Sequence, residues 1–325
     1  MIGERTIEGF AARTLASGDR GLEAAFVPAA GMVGCSLRHR GQELLGQRGG
    51  LAAYVAERKT MGIPLLYPWA NRLSSWRFAV AGREIVIDPG ATPLRRDANG
   101  LPMHGLLSAA AGWRVERHEA TVDGAVLTSR FDFSADDVLM AAFPFAHELV
   151  LEATLSGPTL RLTTTVHASG DAPVPIAFGF HPYLRLDGVQ REDWSVEIPV
   201  RERLRLDTQM LPTGEREPVR IAPGRLGART FDDAYAASPD GAAFVLEGGG
   251  RRIELAFEAG YPYAQVFAPA DDAVIAFEPM TAPANALVTA GPELTLLAPG
   301  DSYRAAFSIT VAGERRITRF GVGRP

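Results

Sequence analysis

The sequence has 325 residues, of which 46% are hydrophobic and 22% charged, and its formal net charge is −5. This composition excludes an intrinsically disordered chain, and the small net charge with scattered arginines argues against a nucleic-acid-binding protein. The 34 glycines and 23 prolines favour many short strands joined by tight turns, so an all-β protein is expected.

Nothing in the sequence indicates an oxidising compartment or a membrane. Cys35 is the single cysteine, so no disulfide can form within the chain. The opening segment MIGERTIEGFAARTLASG carries charges throughout, and no later segment approaches about 18 uninterrupted apolar residues. We therefore expect a cytoplasmic protein without a membrane partner. We also expect a monomer or weak homodimer.

The first predicted elements are a hairpin, a short helix and a second hairpin. Alternating residues flank Arg40-Gly41 in CSLRHRGQELL and Ala81-Gly82 in WRFAVAGREIVID, and glycine there is typical of a tight turn. LAAYVAERK, between them, is the best match to a helical spacing, although it lacks capping residues at both ends.

A longer hairpin is predicted in HELVLEATLSGPTLRLTTTVHA, where two alternating runs flank the turn residues 156–159. RRIELAF and SYRAAFSITV repeat the alternation further along the chain. No linker divides these segments, so we expect a single domain over residues 1–325. Two large antiparallel sheets would pack face to face as a β-sandwich, with function in the sheet edges and the loops at one end.

Two of the six histidines lie where the chain can present a side chain to a ligand. His104 in NGLPMHGLL precedes a glycine, which allows a sharp turn and close approach of a ligand. In FGFHPYLRL, Pro182 favours an extended conformation for His181. No histidine pair has the spacing of a helical zinc site, so no metal is expected. The remaining histidines are interpreted as surface or strand-opening residues: His39, His118, His147 and His167.

Three acidic or amide-containing segments stand in apolar surroundings. Glu278 in AVIAFEPM ends a predicted buried strand, and burial would raise its pKa toward that of a general base at neutral pH. A structural salt bridge with an arginine fits the same pattern. Asn71-Arg72 in LLYPWANRLSSW and Asp232-Asp233 in RTFDDAYA fit either ligand binding or turn formation.

Six of these segments, taken together, resemble the aldose 1-epimerase (galactose mutarotase-like) family. They are PLLYPWANRL, LPMHGLL, FGFHPYLRL, FDDAY, AFEPMTAPANAL and LLAPGDSYRAAFSI, and they follow the same order from about Gly21 to Val311. The resemblance implies a large antiparallel β-sandwich of the galactose mutarotase type (supersandwich). It also implies an isomerase that interconverts the α and β anomers of a free aldose without a cofactor, with a monosaccharide as its partner.

The resemblance implies a role for each candidate residue. Glu278 would take the proton of the anomeric hydroxyl, and His181, with a pKa near its ordinary value, would protonate the ring oxygen from the opposite side of the sugar. His104 would hydrogen-bond near the ring oxygen. The residues implied to bind ring hydroxyls are Arg72, Asn71 and Asp232, with Asp233 as the alternative to Asp232. Apolar faces for the sugar are available from Trp69, Phe178 and Tyr183, although packing in the core is the more usual role of such residues.

Two alternative functions remain. One is a hexose-6-phosphate 1-epimerase: Ser108 stands where such family members tend to have arginine, but Arg95 and Arg96 in PLRRDANG can supply a phosphate clamp. The other is a non-catalytic carbohydrate-binding or regulatory protein of the same fold. The joint presence of Glu278 and His181 argues against a pure binder.

Overall fold

The computed structural model of the protein describes residues 1–19, 21–237 and 241–313. The strands of the first half are β1 (Ile2–Ile7), β2 (Phe10–Ala16), β3 (Leu22–Val27), β4 (Val33–His39), β5 (Gln42–Glu43), β6 (Leu65–Leu66), β7 (Arg77–Val80), β8 (Arg83–Val86), β9 (Arg95–Arg96), β10 (Pro102–Met103), β11 (Arg114–Ala120), β12 (Gly124–Asp132), β13 (His147–Ser156) and β14 (Thr159–Ala168). Those of the second half are β15 (Val174–Ile176), β16 (Gly179–Phe180), β17 (Tyr183–Leu184), β18 (Ser195–Glu197), β19 (Glu202–Leu206), β20 (Pro212–Pro218), β21 (Gly224–Arg225), β22 (Phe231–Ala236), β23 (Phe244–Gly248), β24 (Arg251–Ala259), β25 (Tyr263–Ala268), β26 (Ile275–Met280), β27 (Thr295–Leu297) and β28 (Ser302–Gly313). The helices are α1 (Gly50–Glu57), α2 (Asp137–Ala142) and α3 (Ala286–Thr289), with 3₁₀ turns at Pro28–Ala30, Phe133–Ala135 and Arg191–Asp193.

Two large antiparallel sheets form the sandwich. The nine-stranded sheet has the order β11-β12-β13-β14-β28-β24-β23-β18-β21. The eight-stranded sheet has the order β20-β19-β22-β25-β26-β16-β6, and β17 also pairs with β26. Aromatic side chains meet between the sheets: the ring centroids of Phe180 and Phe307 lie 5.0 Å apart, and those of Phe244 and Phe277 lie 5.2 Å apart. The predicted all-β sandwich is thereby confirmed.

A third sheet, which the sequence did not predict separately, is formed by β1 to β5 in chain order. Side chains of β3 and β4 join the same apolar core as those of β12 and β13. The loop from β5 leads through α1 to β6, at the end of the eight-stranded sheet. The N-terminal segment therefore extends the sandwich core.

The predicted hairpins form as expected because turn residues separate alternating runs. β13 and β14 pair from His147–Ala168 to Ser156–Thr159, and the alternating residues Leu149, Leu151, Ala153 and Leu155 of β13 are buried. β7 and β8 pair across Ala81-Gly82, and β4 and β5 across Arg40-Gly41. The predicted helix LAAYVAERK corresponds to α1.

No helix in the described ranges is long and apolar enough to cross a membrane. The cytoplasmic location, the single domain over residues 1–325 and the monomeric or weakly dimeric state stay predictions.

Candidate active site

His181 faces Glu278 because of the register of three strands. β16 and β17 both pair antiparallel with β26, and one register continues through both pairings. Extended to the residues between β16 and β17, it puts His181 opposite Glu278. The residue before each of them points into the sandwich, so both side chains lie on the outer face of the eight-stranded sheet. The pairs that fix this register are Gly179–Met280, Tyr183–Ala276 and Leu184–Ile275.

Two loops bring further polar groups to this face. Asn71 and His104 both have left-handed backbone conformations, with φ of 60° and 62°, and the His104 amide donates to the Asn71 carbonyl at 2.8 Å. Gly105 also has a positive φ, and a Cβ there would lie 2.2 Å from the Tyr67 carbonyl oxygen. Only glycine fits this position, which accounts for the HG pair. The tight turn sets the His104 ring edge-on to His181, with centroids 5.7 Å apart.

All six residues predicted for the site line one cavity of about 150 Å³. The wall also contains Arg95 and Tyr183, the candidates for a phosphate clamp and an apolar face, whereas sequence reasoning missed Arg48, Met103 and Phe267. The full lining is Arg48, Asn71, Arg72, Arg95, Met103, His104, His181, Tyr183, Asp232, Phe267 and Glu278.

The centre of the cavity wall is a direct contact between imidazole and carboxyl. His181 Nε2 lies 3.1 Å from Glu278 Oε1, and the two residues are 5% and 2% exposed. The other carboxyl oxygen, Glu278 Oε2, has no hydrogen-bond partner among the described residues. The expectation that the two groups stand on opposite sides of a ligand is wrong in this structure, because adjacent strands hold them side by side. A buried acceptor without a partner is destabilising, so Oε2 is suited to accept a hydrogen bond from a ligand hydroxyl.

Burial shifts both partners of this contact toward their uncharged forms. It raises the pKa of Glu278 well above its ordinary value, with the Asp232 carboxylate adding to the effect. Burial likewise lowers the pKa of His181 well below its ordinary value, and nearby arginines add to this. The expectation of an ordinary histidine pKa is therefore wrong. The pKa of His104 is also well below its ordinary value. Burial is the main cause, and the neighbouring His181 adds to it.

The two adjacent aspartates of β22 have different surroundings. Asp232 lines the cavity and accepts a hydrogen bond from Gln265 Nε2 at 2.7 Å, whereas Asp233 forms an ion pair with Arg203 at 2.6 Å. Gln265 is 2% exposed and is the cross-strand partner of Glu278. Sequence reasoning missed Gln265. A polar residue within an otherwise apolar strand, here YAQVFA, is nevertheless the same signal that identified Glu278.

Three arginines line the cavity, and two of them are paired with carboxylates. Arg48 lies 3.0 Å from Asp272, and Arg72 Nε lies 3.5 Å from Asp97. Arg95 donates to the Thr60 hydroxyl at 3.2 Å and has no carboxylate partner in the described ranges. The Arg72 guanidinium also donates to Asn71 Oδ1 at 3.0 Å, which fixes it at the cavity wall.

The predicted clamp of Arg95 with Arg96 does not form at this cavity. Arg96 lies over the ring of Trp76, 5.4 Å from its centroid, and donates to the Pro89 carbonyl at 2.8 Å. Adjacent residues of the short strand β9 point to opposite faces, so only Arg95 reaches the cavity.

Of the three predicted aromatic faces, only Tyr183 lines the cavity. Trp69 and Phe178 belong to the sandwich core, and Phe267 contributes the second ring. Among the described residues, no group of three or more histidine, cysteine and carboxylate side chains is arranged to bind a metal ion.

Comparison with known proteins gives a family and a fold. The sequence model of the Aldose 1-epimerase family matches residues 29–310. A galactose mutarotase-like protein from Clostridium acetobutylicum is similar in structure at a TM-score of 0.83, with 19% identity over 97% of this chain and 99% of that one. A galactose 1-epimerase from Lactobacillus acidophilus is similar at a TM-score of 0.76, with 13% identity over 97% of this chain and 99% of that one. An aldose epimerase homologue from C. elegans is similar at a TM-score of 0.71, with 16% identity over 97% of this chain and 100% of that one.

A search of curated protein sequences found no significant match. At identities below 20%, these three structural similarities establish the fold, whereas the match of the family model establishes membership.

Proposed function

This chain belongs to the aldose 1-epimerase family, and we propose that it is itself an aldose 1-epimerase (mutarotase) that interconverts the anomers of a free aldose without a cofactor. The observation that carries the proposal is the buried contact of 3.1 Å between His181 and Glu278 at the wall of a polar cavity. A protein that only binds a carbohydrate has no need for an acid and a base in contact.

The reaction removes a proton from one oxygen bonded to C1 and adds a proton to the other oxygen bonded to C1. Glu278 accepts the proton of the C1 hydroxyl, the C1–O bond of the ring breaks as the aldehyde forms, and His181 gives its proton to the ring oxygen. Rotation about C1–C2 and closure on the other face return both protons. The hydroxyl and the ring oxygen are bonded to the same carbon, so side-by-side placement of the two groups suits this exchange.

The pair holds one transferable proton at the start of the reaction. Glu278 carboxylate with His181 imidazolium, and protonated Glu278 with neutral His181, contain the same number of protons and differ only in which partner carries one. Burial favours the uncharged arrangement, and the short contact lets the proton pass between the partners.

The remaining polar groups of the cavity are suited to hold the sugar. The Arg72 guanidinium donates hydrogen bonds, Asp232 accepts them, and His104 Nδ1 is buried with no partner among the described residues. Together with the ring of Phe267, they offer the mixture of donors, acceptors and apolar surface that a monosaccharide requires.

Asp232→Asn is expected to raise KM by about 10-fold or more, since a hydrogen bond to a charged group contributes roughly 1.5–3 kcal/mol. Steady-state kinetics against Asp233→Asn, which breaks the ion pair with Arg203 outside the cavity, provides the matched control. Equal KM values for the two variants would remove Asp232 from sugar binding.

The pH profile of kcat/KM is expected to be bell-shaped, since the pair is active only while it carries one proton. On the acid side a second proton must go to His181, whose pKa is lowered, so this limb lies below the ordinary histidine value of 6.5. On the alkaline side Glu278 must lose its proton, and its raised pKa puts this limb well above 4.5. Rates are measured after subtraction of the uncatalysed rate at each pH; an acid limb above 6.5 would contradict the assignment.

A second candidate, epimerisation of an aldose 6-phosphate, is favoured by one observation. Arg95 lines the cavity without a carboxylate partner in the described part of the chain, and Arg48 lines the same cavity. Guanidinium groups suit phosphate oxygens. Ser108, which takes the place of the arginine found in relatives of that kind, is buried outside the cavity lining.

The direct test is polarimetry on freshly dissolved α-glucose, α-galactose and other free aldoses at low buffer concentration, with and without the protein. Acceleration of any free aldose above the blank supports the proposal. Acceleration of aldose 6-phosphates alone, followed by exchange NMR, would transfer the assignment to the second candidate. Binding of aldoses without any acceleration would identify a carbohydrate-binding protein.

A further inference from the structure

The His181 ring lies flat on the ring of Tyr183, with centroids 4.1 Å apart and planes inclined by 16°. Tyr183 is 3% exposed. The segment around Pro182 is extended, and residues two positions apart in an extended segment share a face. The HPY sequence therefore builds the stack locally.

Among the aromatic contacts of the His181 ring in the described residues, the stack on Tyr183 has the shortest centroid distance. Histidines in active sites are often oriented by a hydrogen bond from the second ring nitrogen to a carboxylate or carbonyl. Here His181 Nδ1 is buried and makes no hydrogen bond to another described residue. His104 and Phe267 touch the ring only edge-on, at centroid distances of 5.7 and 5.6 Å. Apart from the contact of its Nε2 with Glu278, the His181 ring therefore has the stack on Tyr183 as its closest ring contact.

Tyr183 is held by polar contacts in turn. Its hydroxyl lies 2.6 Å from Thr60 Oγ1, a residue that is 1% exposed, and Thr60 accepts a hydrogen bond from Arg95. The Arg48 guanidinium lies 5.0 Å from the centre of the Tyr183 ring. Burial raises the pKa of Tyr183 to about 12, so its hydroxyl stays protonated at neutral pH.

We propose that Tyr183 is a positioning residue that fixes the ring plane of His181, and that Thr60 fixes Tyr183. The proposal rests on the function proposed above, because it assigns the reason why His181 Nε2 stays aligned with Glu278 and the sugar oxygen. Loss of such alignment by about 1 Å can lower a rate by roughly 10²-fold.

A graded series of variants tests this. Tyr183→Leu removes the stack and is expected to lower kcat by about 10- to 100-fold at unchanged KM. Tyr183→Phe and Thr60→Val each remove the same hydrogen bond. Each is expected to lower kcat by about two- to ten-fold, and the double variant to be no slower than the slower single variant. The matched control is Tyr54→Leu, a buried tyrosine of the N-terminal cluster whose hydroxyl accepts from the Ala109 amide.

Kinetics distinguishes positioning from sugar binding and from the absence of any catalytic effect. Because Tyr183 also lines the cavity, a rise in KM at constant kcat in Tyr183→Leu would make it a sugar contact and overturn the proposal. Wild-type kcat in folded Tyr183→Leu would also overturn the proposal. If Tyr183→Leu does not fold, the hydrogen-bond variants decide: wild-type kcat in both overturns the proposal, and the non-additive decrease supports it.

A spectroscopic readout separates this proposal from the proposed function. The ¹⁵N ring signals of His181 are followed through a pH titration in wild type, Tyr183→Leu and Tyr54→Leu. The charged groups that act on this titration are Glu278, His104, Arg48 and Arg95. In Tyr183→Leu alone, the His181 midpoint should move up toward its ordinary value as water reaches the ring. An unchanged His181 titration overturns the positioning role even if wild type accelerates no sugar, and a shifted one supports it in either case.

Discussion

Replacement of Glu278 by glutamine, Glu278→Gln, should lower kcat by roughly 10²–10⁴-fold, the usual contribution of a general base. The amide keeps the shape of the side chain and can still donate to or accept from neighbouring groups, but it cannot take the proton of a C1 hydroxyl. The measurement is the initial mutarotation rate of the wild type and the variant after subtraction of the blank.

The fold should survive this change without loss of stability at neutral pH. The pKa of Glu278 is raised in the folded protein, so above the ordinary value of 4.5 the unfolded chain releases a proton that the folded chain retains. Ionisation therefore favours unfolding, and the amide removes this effect. Thermal melts at pH 7 should give Glu278→Gln a Tm equal to or above that of wild type.

Glu43→Gln supplies the matched control for loss of a carboxylate. Glu43 accepts hydrogen bonds from Ser36 and from the Leu37 amide in the N-terminal sheet, away from the cavity. Its substitution should leave kcat unchanged. Substantial turnover by Glu278→Gln would remove this residue from the proton transfer.

The second large effect is expected for His181→Asn, which should also slow the reaction by roughly 10²–10⁴-fold. Asparagine donates hydrogen bonds but does not transfer a proton near neutral pH, so the ring oxygen would depart without protonation. Anomer-exchange rates from NMR at saturating sugar measure the loss in kcat.

His167→Asn is the control for this substitution, because His167 bonds to the Ser302 hydroxyl on an exposed part of the nine-stranded sheet. It should behave as wild type. Since His181 and Glu278 act on one hemiacetal, the double variant should be little slower than the slower single variant. A wild-type rate for His181→Asn would exclude it as the acid.

Local sequence signals were sufficient to predict the regular parts of this fold. The hairpin of β13 and β14 was predicted because period-two alternation on both sides of a Ser-Gly-Pro-Thr turn fits few other conformations. The buried strand β26 was predicted likewise, and Glu278 stood out as the one ionisable residue in it. The third sheet was not predicted as a separate unit, since its strands carry the same alternation as the others.

The contact of His181 with Glu278 was not predictable from local patterns. It depends on the pairing of β16 and β17 with β26, strands about a hundred residues apart in the chain. Alternation identifies the face of a residue but not its partner on the next strand. The same limit explains why Gln265 and Arg48 were missed and why an ordinary pKa was expected for His181.

Burial of one histidine in a turn was also misjudged. His39, interpreted as a surface residue between two arginines, is 7% exposed and lies beside Arg251. His147 opens β13 as expected, and it is fully buried there, with its ring nitrogens bonded to the Tyr67 hydroxyl and the Phe145 carbonyl. The contacts of His39 with Arg251 and of His147 with Tyr67 join segments distant in sequence, so composition around each histidine gives no signal of them.

The crystal structure of Glu278→Gln with a bound aldose tests the central claim most directly, because this variant should bind the sugar without converting it. We predict that the C1 hydroxyl and the ring oxygen lie within hydrogen-bond distance, about 2.6–3.2 Å, of the side chains at positions 278 and 181. A sugar bound with C1 directed away from both side chains, or bound outside this cavity, would contradict the account.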